Sequence, residues 1–157
     1  MTESIEPSSI NSAEAMLELT LLNAETVDAS FDDVFVASVS KGISPEILTR
    51  MRDLWETSKV IGNEVVQIGK IIVLKLVEFL NANPRLAASL ALGAAVYFLS
   101  HAIPFIGPLL APLLSALTTV MAIFKGSSFD DIVKMAQKFF AMLVSIFNTV
   151  AIRWSLA

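Results

Sequence analysis

The residues of this sequence that can carry out acid–base, nucleophilic or metal chemistry are few and are not gathered into a recognisable site. The chain has one histidine, His101, and no cysteine, so thiol nucleophiles, thiolate metal sites and disulfides are excluded. It has no glycine-rich phosphate loop and no cluster of carboxylates within its apolar part. We therefore expect no enzyme activity, no catalytic residues, no cofactor and no bound metal.

Charge and hydropathy indicate contact with a lipid bilayer. The eleven Lys and Arg residues form no dense patch, so we expect no binding to nucleic acid. Hydrophobic residues make up 55% of the chain and the mean hydropathy is +0.69, well above the values of ordinary soluble domains. We therefore expect a membrane location, with a soluble form before insertion as one option.

The charge is divided unequally along the chain. Residues 1–42 carry eight acidic residues and one base, Lys41, whereas residues 43–157 carry seven acidic and ten basic residues. This division predicts an acidic, loosely structured N-terminal segment followed by a helical membrane-active domain. Asn11 and Glu14 can cap a short helix within the acidic segment. The segment is either a mobile terminus or a restraint on binding to anionic lipid, and it lacks the features of a Sec-type signal peptide.

A long amphipathic helix is predicted over about residues 44–81. Ser44 and Pro45 have the residue types preferred at a helix start, and Pro84 disfavours helix at the residue before it. Gly62 and Gly69 lie on one face and would allow another helix to approach closely. The candidate polar, pore-lining stripe of this helix consists of Glu64, Gln67, Lys70, Lys75 and Glu78.

A hydrophobic helical hairpin is predicted over about residues 86–124, where 39 consecutive residues include no Asp, Glu, Lys or Arg. One bilayer-spanning helix needs only about 20 such residues, so the length favours two arms. Arg85 and Lys125 flank the open end, and we interpret His101 as a polar residue near the tip. The predicted hairpin turn contains four helix-breaking residues, Pro104, Gly107, Pro108 and Pro112.

A last helix, amphipathic to hydrophobic in character, is predicted over about residues 128–155. Ser128 and Asp131 resemble a capping box at its start. The expected fold class is therefore all-α: a membrane-associated protein with a long amphipathic helix, a central hydrophobic helical hairpin and this C-terminal helix. Its layout, carried by residues 86–124 and the surrounding amphipathic helices, resembles that of colicin-type and other α-helical pore-forming toxins.

We expect a protein that inserts into membranes and forms, or contributes to, an oligomeric pore. Several copies would bury their apolar faces in lipid while their polar stripes meet around water, so a homo-oligomer is expected. Two alternatives stay open. One is a structural membrane subunit that conducts nothing, such as a viral-envelope or membrane-complex component. The other is a soluble helical bundle that buries the hairpin in its core.

Overall fold

Helices dominate the structure, a computed structural model that describes residues 10–61, 63–123 and 127–151. Within these ranges the chain forms eight α-helices, one 3-10 helix and one two-stranded β-hairpin, so the prediction of an all-α fold is confirmed in coarse form. The elements in chain order are α1 (Ser12–Glu25), α2 (Phe31–Ser40), α3 (Pro45–Trp55), β1 (Lys59–Ile61), β2 (Glu64–Val66), α4 (Ile68–Ala82), α5 (Ala88–Ala102), the 3-10 helix (Pro104–Ile106), α6 (Gly107–Ile123), α7 (Ser127–Phe139) and α8 (Ala141–Thr149).

The acidic segment is folded, so the prediction of a loosely structured region is wrong for residues 10–42. The predicted capping box at the start of α1 is present, because the Glu14 amide donates to Asn11 Oδ1 at 2.8 Å and the Asn11 amide donates to Glu14 Oε1 at 3.4 Å. Ala15 and Leu19 are buried against the rest of the molecule while the carboxylates of α1 face solvent. The excess of acidic residues concealed this amphipathic pattern.

The single helix predicted over residues 44–81 is also wrong, although its start is confirmed. Ser44 caps α3 by accepting a hydrogen bond from the Ile47 amide at 3.5 Å, and Pro45 opens the helix. The helix then ends at Trp55, and the chain forms the β-hairpin before α4 begins at Ile68.

The β-hairpin forms where β-branched residues surround a turn-forming pair. Val60, Ile61, Val65 and Val66 have side chains that favour strands, and the residues between the strands are Gly-Asn, a pair typical of two-residue turns. The strands are antiparallel, with Val60 opposite Val65, and Ile61 and Val66 are buried. Each strand buries its last residue and exposes the two before it, and this burial favours the strands over the helix that the same residues also fit.

Gly69 permits the backbones of α3 and α4 to meet. Its amide donates to the carbonyl of Thr57 at 3.0 Å. A Cβ atom at this position would overlap the Leu54 carbonyl oxygen and lie 2.7 Å from the Leu54 carbonyl carbon. The predicted close approach at Gly69 is therefore confirmed, but the neighbour is the end of α3, and Gly62 lies outside the described residues.

The core is centred on α5, which packs against α4, α6 and α7. Around this centre α3 contacts both α4 and α6, and α1 contacts α8, so the first and last described helices lie side by side. All these elements contribute to one cluster of buried apolar residues. A helix that is apolar on all sides is stable in water only when other helices cover it in this way.

The C-terminal helix predicted over residues 128–155 is divided in two at Phe140. The Phe140 ring is buried and lies 5.5 Å from the Phe79 ring, measured between centroids. The division lets both α7 and α8 direct apolar side chains to the core, among them Ile132 and Phe147. The side chain of Ser128 and residues 152–157 lie outside the described part of the chain, so the predicted capping box is not described.

Candidate functional site: the buried helical hairpin

The predicted helical hairpin is present as α5, the 3-10 helix and α6. The chain bends by 117° between the two arms. Pro104 begins the 3-10 helix and Pro108 lies in the first turn of α6, where a proline loses no intrahelical hydrogen bond. The prediction that Pro112 belongs to the turn is wrong, because Pro112 lies inside α6. The turn therefore consists of Pro104, Gly107 and the residues between them.

The first arm of the hairpin is buried in the molecule. All residues of α5 from Leu90 to Val96 are buried, so this stretch has no solvent-facing stripe. Ala91, Gly93 and Ala95 lie in this stretch, and small residues allow neighbouring helices to approach closely. The residues of α5 whose exposure is 0% are Leu92, Ala94, Ala95, Val96 and Leu99.

The second arm is covered on one side only. Leu110, Leu113 and Leu117 are buried, whereas Pro112 and Ser115 are exposed. Up to Thr118, the exposed side chains of α6 are thus small or weakly polar, and none of them is charged. The hairpin consequently has an inner arm hidden by protein and an outer arm that reaches the surface.

The tip of the hairpin is attached to α8. Asn148 Nδ2 donates to the carbonyl oxygen of Ala102 at 3.0 Å, which satisfies one acceptor left free at the end of α5. Ile103, directly before the turn, and Ile106, within it, are fully buried. Sequence reasoning missed Asn148 as an anchor, since a contact across 46 residues has no local signal.

His101 is exposed at the same end of α5, next to the hairpin tip. Its Nδ1 lies 2.8 Å from the carbonyl oxygen of Tyr97, and a carbonyl only accepts, so Nδ1 carries the hydrogen. Its ring lies 4.4 Å from the Tyr97 ring, measured between centroids. These contacts account for His101 as a polar residue near the hairpin tip, in agreement with its interpretation from the sequence.

The predicted polar stripe is not one continuous surface. Glu64 lies in β2 and Gln67 precedes α4, which leaves only three of its members on one helix. Lys70 lies over the Trp55 ring at 5.6 Å from its centroid, whereas Lys75 forms an ion pair with Glu78 at 3.4 Å. Of the flanking charges, Arg85 is exposed between α4 and α5, and Lys125 lies outside the described residues.

Two further observations bear on function. No single helix in the described ranges is long and apolar enough to cross a membrane, but α5 together with residues 104–118 meets the criteria of length and composition as a bent pair. Those ranges also contain no group of three or more His, Cys, Asp or Glu residues arranged to hold a metal ion.

Comparison with known proteins found no match: no family model, no curated protein and no solved structure corresponds to this chain. Its function must therefore be inferred from the geometry and chemistry of its own residues.

Proposed function

We propose that this chain is a latent membrane-inserting protein. In water, the helical bundle covers α5 and the inner side of α6. At a bilayer the bundle opens, the hairpin enters the lipid, and several copies together permeabilise the membrane. The observation that carries this proposal is the burial of α5, a helix without charged residues that packs against α4, α6 and α7.

The physical basis is that lipid can replace the protein around α5. A helix that is apolar on all sides is satisfied either in a protein core or in hydrocarbon, because both keep its side chains away from water. Leaving the core therefore costs little hydrophobic free energy if the helix passes directly into a bilayer. If the bundle opened in water without lipid, these side chains would be exposed, and the hydrophobic effect opposes this exposure.

The lengths of the arms favour a shallow or membrane-thinning insertion. α5 has 15 residues and α6 has 17, which correspond to about 22 Å and 25 Å at ~1.5 Å per residue. Both are shorter than the ~30 Å hydrocarbon core, so the bilayer must thin around the hairpin or the hairpin must enter without crossing.

α7 is suited to lie at the membrane surface when the bundle opens. Lys134 and Lys138 are exposed on one side, and Ile132 and Ala136 are buried on the other. Such a helix binds the headgroup region by placing its apolar face towards the acyl chains. It is also the best remaining candidate for a polar pore lining, since the stripe predicted on residues 64–78 is divided.

The second candidate is a soluble bundle in which the hairpin never leaves the core. The same burial of α5 favours it, because a core helix needs no further role. The two candidates differ in one consequence. Only the latent inserting protein requires α5 to separate from its neighbours.

A reversible cross-link between the hairpin and α8 tests this requirement. Ala102→Cys and Asn148→Cys place two thiols at a site where the side chain of one residue contacts the backbone of the other, in a chain without native cysteine. We expect the doubly substituted protein, closed with a reducible bismaleimide, to release no dye from liposomes. Release should return to the level of the uncross-linked protein when a reductant cleaves the bridge.

The matched control is Ser115→Cys with Thr118→Cys, which joins two exposed residues of α6 and leaves the hairpin free to move. This protein should release dye whether cross-linked or not. If uncross-linked protein binds vesicles but leaves them sealed, the non-conducting membrane subunit replaces the pore. If it does not bind vesicles at all, the soluble bundle is correct.

A further inference from the structure

A groove lies between α1 and α4. It has two compartments of about 460 and 340 Å³, and residues of both helices line both compartments. The larger compartment is bounded on its third side by residues around the junction of α7 and α8, among them Phe139 and Leu143. The residues shared by the two compartments are Leu22, Glu25, Lys75 and Glu78.

The groove is acidic. Glu18, Glu25 and Glu78 line it together with one base, Lys75, so three carboxylates and one ammonium leave a net charge of −2. Lys75 is already paired with Glu78 at 3.4 Å. Among the described residues, neither Glu18 nor Glu25 has a cationic partner. The groove thus presents two carboxylates available to a cation from outside.

The rest of its lining is mostly apolar, and large apolar side chains are exposed beside it. Leu22, Ile71 and Leu74 line the inner part. At the mouth, Phe139 is 38% exposed and Met142 is 49% exposed, and on the outer side of α1 Leu21 is 50% exposed. Exposed apolar surface next to a concave groove is typical of a docking site, and methionine adapts readily to different partners.

We propose that this groove binds a basic amphipathic helix of a partner protein. Glu18 and Glu25 are seven residues apart on α1, about 10 Å at ~1.5 Å per residue, which is close to two helical turns. A docked helix would place apolar residues in the two compartments and a Lys or Arg beside the carboxylates. The net negative charge disfavours anionic lipid headgroups as the occupant. The groove belongs to the closed bundle, so this binding does not require membrane insertion.

The probe is a synthetic peptide in which Leu and Lys recur at helical spacing, so that the helix has an apolar face and a basic face. It carries a fluorescent label and is titrated with the full chain in the absence of lipid, and binding is measured by fluorescence anisotropy. Glu18→Gln with Glu25→Gln should weaken its binding about tenfold at low salt. The matched control is Asp32→Asn with Asp33→Asn, which removes two exposed carboxylates from α2, outside the groove. This control should change the dissociation constant less than twofold.

Met142→Ser tests the apolar part of the site and should also weaken binding, since the side chain is exposed and its replacement spares the core. Equal loss of affinity in the groove and control variants would show non-specific charge attraction and overturn the proposal. So would equal binding of a scrambled peptide that has the same composition but no apolar face. Binding of decyltrimethylammonium without binding of the peptide would instead assign the groove to small cations.

Discussion

At Gly69 the backbone of α4 lies directly against the end of α3. Any side chain there meets backbone atoms, which cannot rotate away. A Cβ would overlap the Leu54 carbonyl oxygen and lie 3.2 Å from the Thr57 amide nitrogen. By contrast, a Cβ at Gly107 would lie 3.6 Å from the nearest atom, the Ser100 carbonyl oxygen, in ordinary contact.

We therefore expect Gly69→Ala to lower the free energy of unfolding by about 3 kcal/mol, since the two helices must move apart. Gly107→Ala is the control and should change stability by less than about 1 kcal/mol. Urea denaturation followed by circular dichroism measures both. Equal midpoints for the two variants would show that the backbones do not meet at Gly69.

Asn23 joins α1 to the end of the β-hairpin through both atoms of its side-chain amide. Its Oδ1 accepts from the Gln67 amide at 2.7 Å, and its Nδ2 donates to the Val65 carbonyl at 3.1 Å. Asn23→Ala should cost about 2 kcal/mol, because it leaves a partly buried amide without a partner.

The control for this prediction is Asn81→Ala, at an exposed position of α4 where helix propensity favours alanine by roughly 0.5 kcal/mol. Thermal unfolding should separate the two variants by several degrees. If both alanine variants unfold with the wild-type midpoint, the amide of Asn23 does not hold the β-hairpin in place.

Among the elements, α6 contains a proline at a position that costs stability. The amide of residue 112 in a regular helix would donate to the carbonyl of residue 108, and a proline has no hydrogen to donate. Pro112→Ala should therefore stabilise the protein by about 2 kcal/mol. It should also slow dye release from liposomes if the hairpin must loosen before it inserts.

Pro108→Ala is the matched control, because Pro108 is also exposed but lies in the first turn, where its amide would have no intrahelical partner. Its unfolding midpoint should stay close to that of the wild type. A destabilised Pro112→Ala protein would mean that the proline ring makes packing contacts that outweigh the missing hydrogen bond.

At the scale of the whole molecule, the acidic segment, residues 1–42, contributes both to folding and to the net charge. Its helices cover part of the core, since Leu19 is only 1% exposed, while its carboxylates add negative charge. Deleting residues 1–42 should therefore remove the cooperative thermal transition and cause binding of a hydrophobic dye. This deletion therefore tests the contribution of the segment to folding, and it does not test whether the negative charge restrains membrane binding.

Neutralising exposed carboxylates isolates the charge. Asp28→Asn, Asp32→Asn and Asp33→Asn should preserve the cooperative transition, at a small cost from the loss of favourable charges at the start of α2. Partitioning onto anionic vesicles at low salt should increase at least tenfold, at about 1 kcal/mol per charge near the surface. Unchanged partitioning of this folded variant would reject a restraining role for the segment.

Features that depend on nearby residues were predictable from the sequence. The caps formed by Asn11 and Ser44 were identified, as was the turn between the arms of the hairpin, because a cap or a proline acts within about four residues along the chain. The absence of charge from residues 86–124 likewise indicated a segment that must avoid water. It did not distinguish a protein core from a bilayer, since both satisfy an apolar helix.

What the sequence alone determined is therefore a set of helix starts, a helical hairpin and a need to cover it. Only the tertiary structure decided that α3 and α4 are separate, that residues 10–42 fold onto the core, and that α5 lies inside. The β-hairpin that separates α3 and α4 has its own local signals, but the same residues also fit a helix. Contacts with Asn23, more than 40 residues away, help to favour the strands. The free energy of such contacts depends on which distant residues meet, and this cannot be predicted from the local periodicity of the sequence.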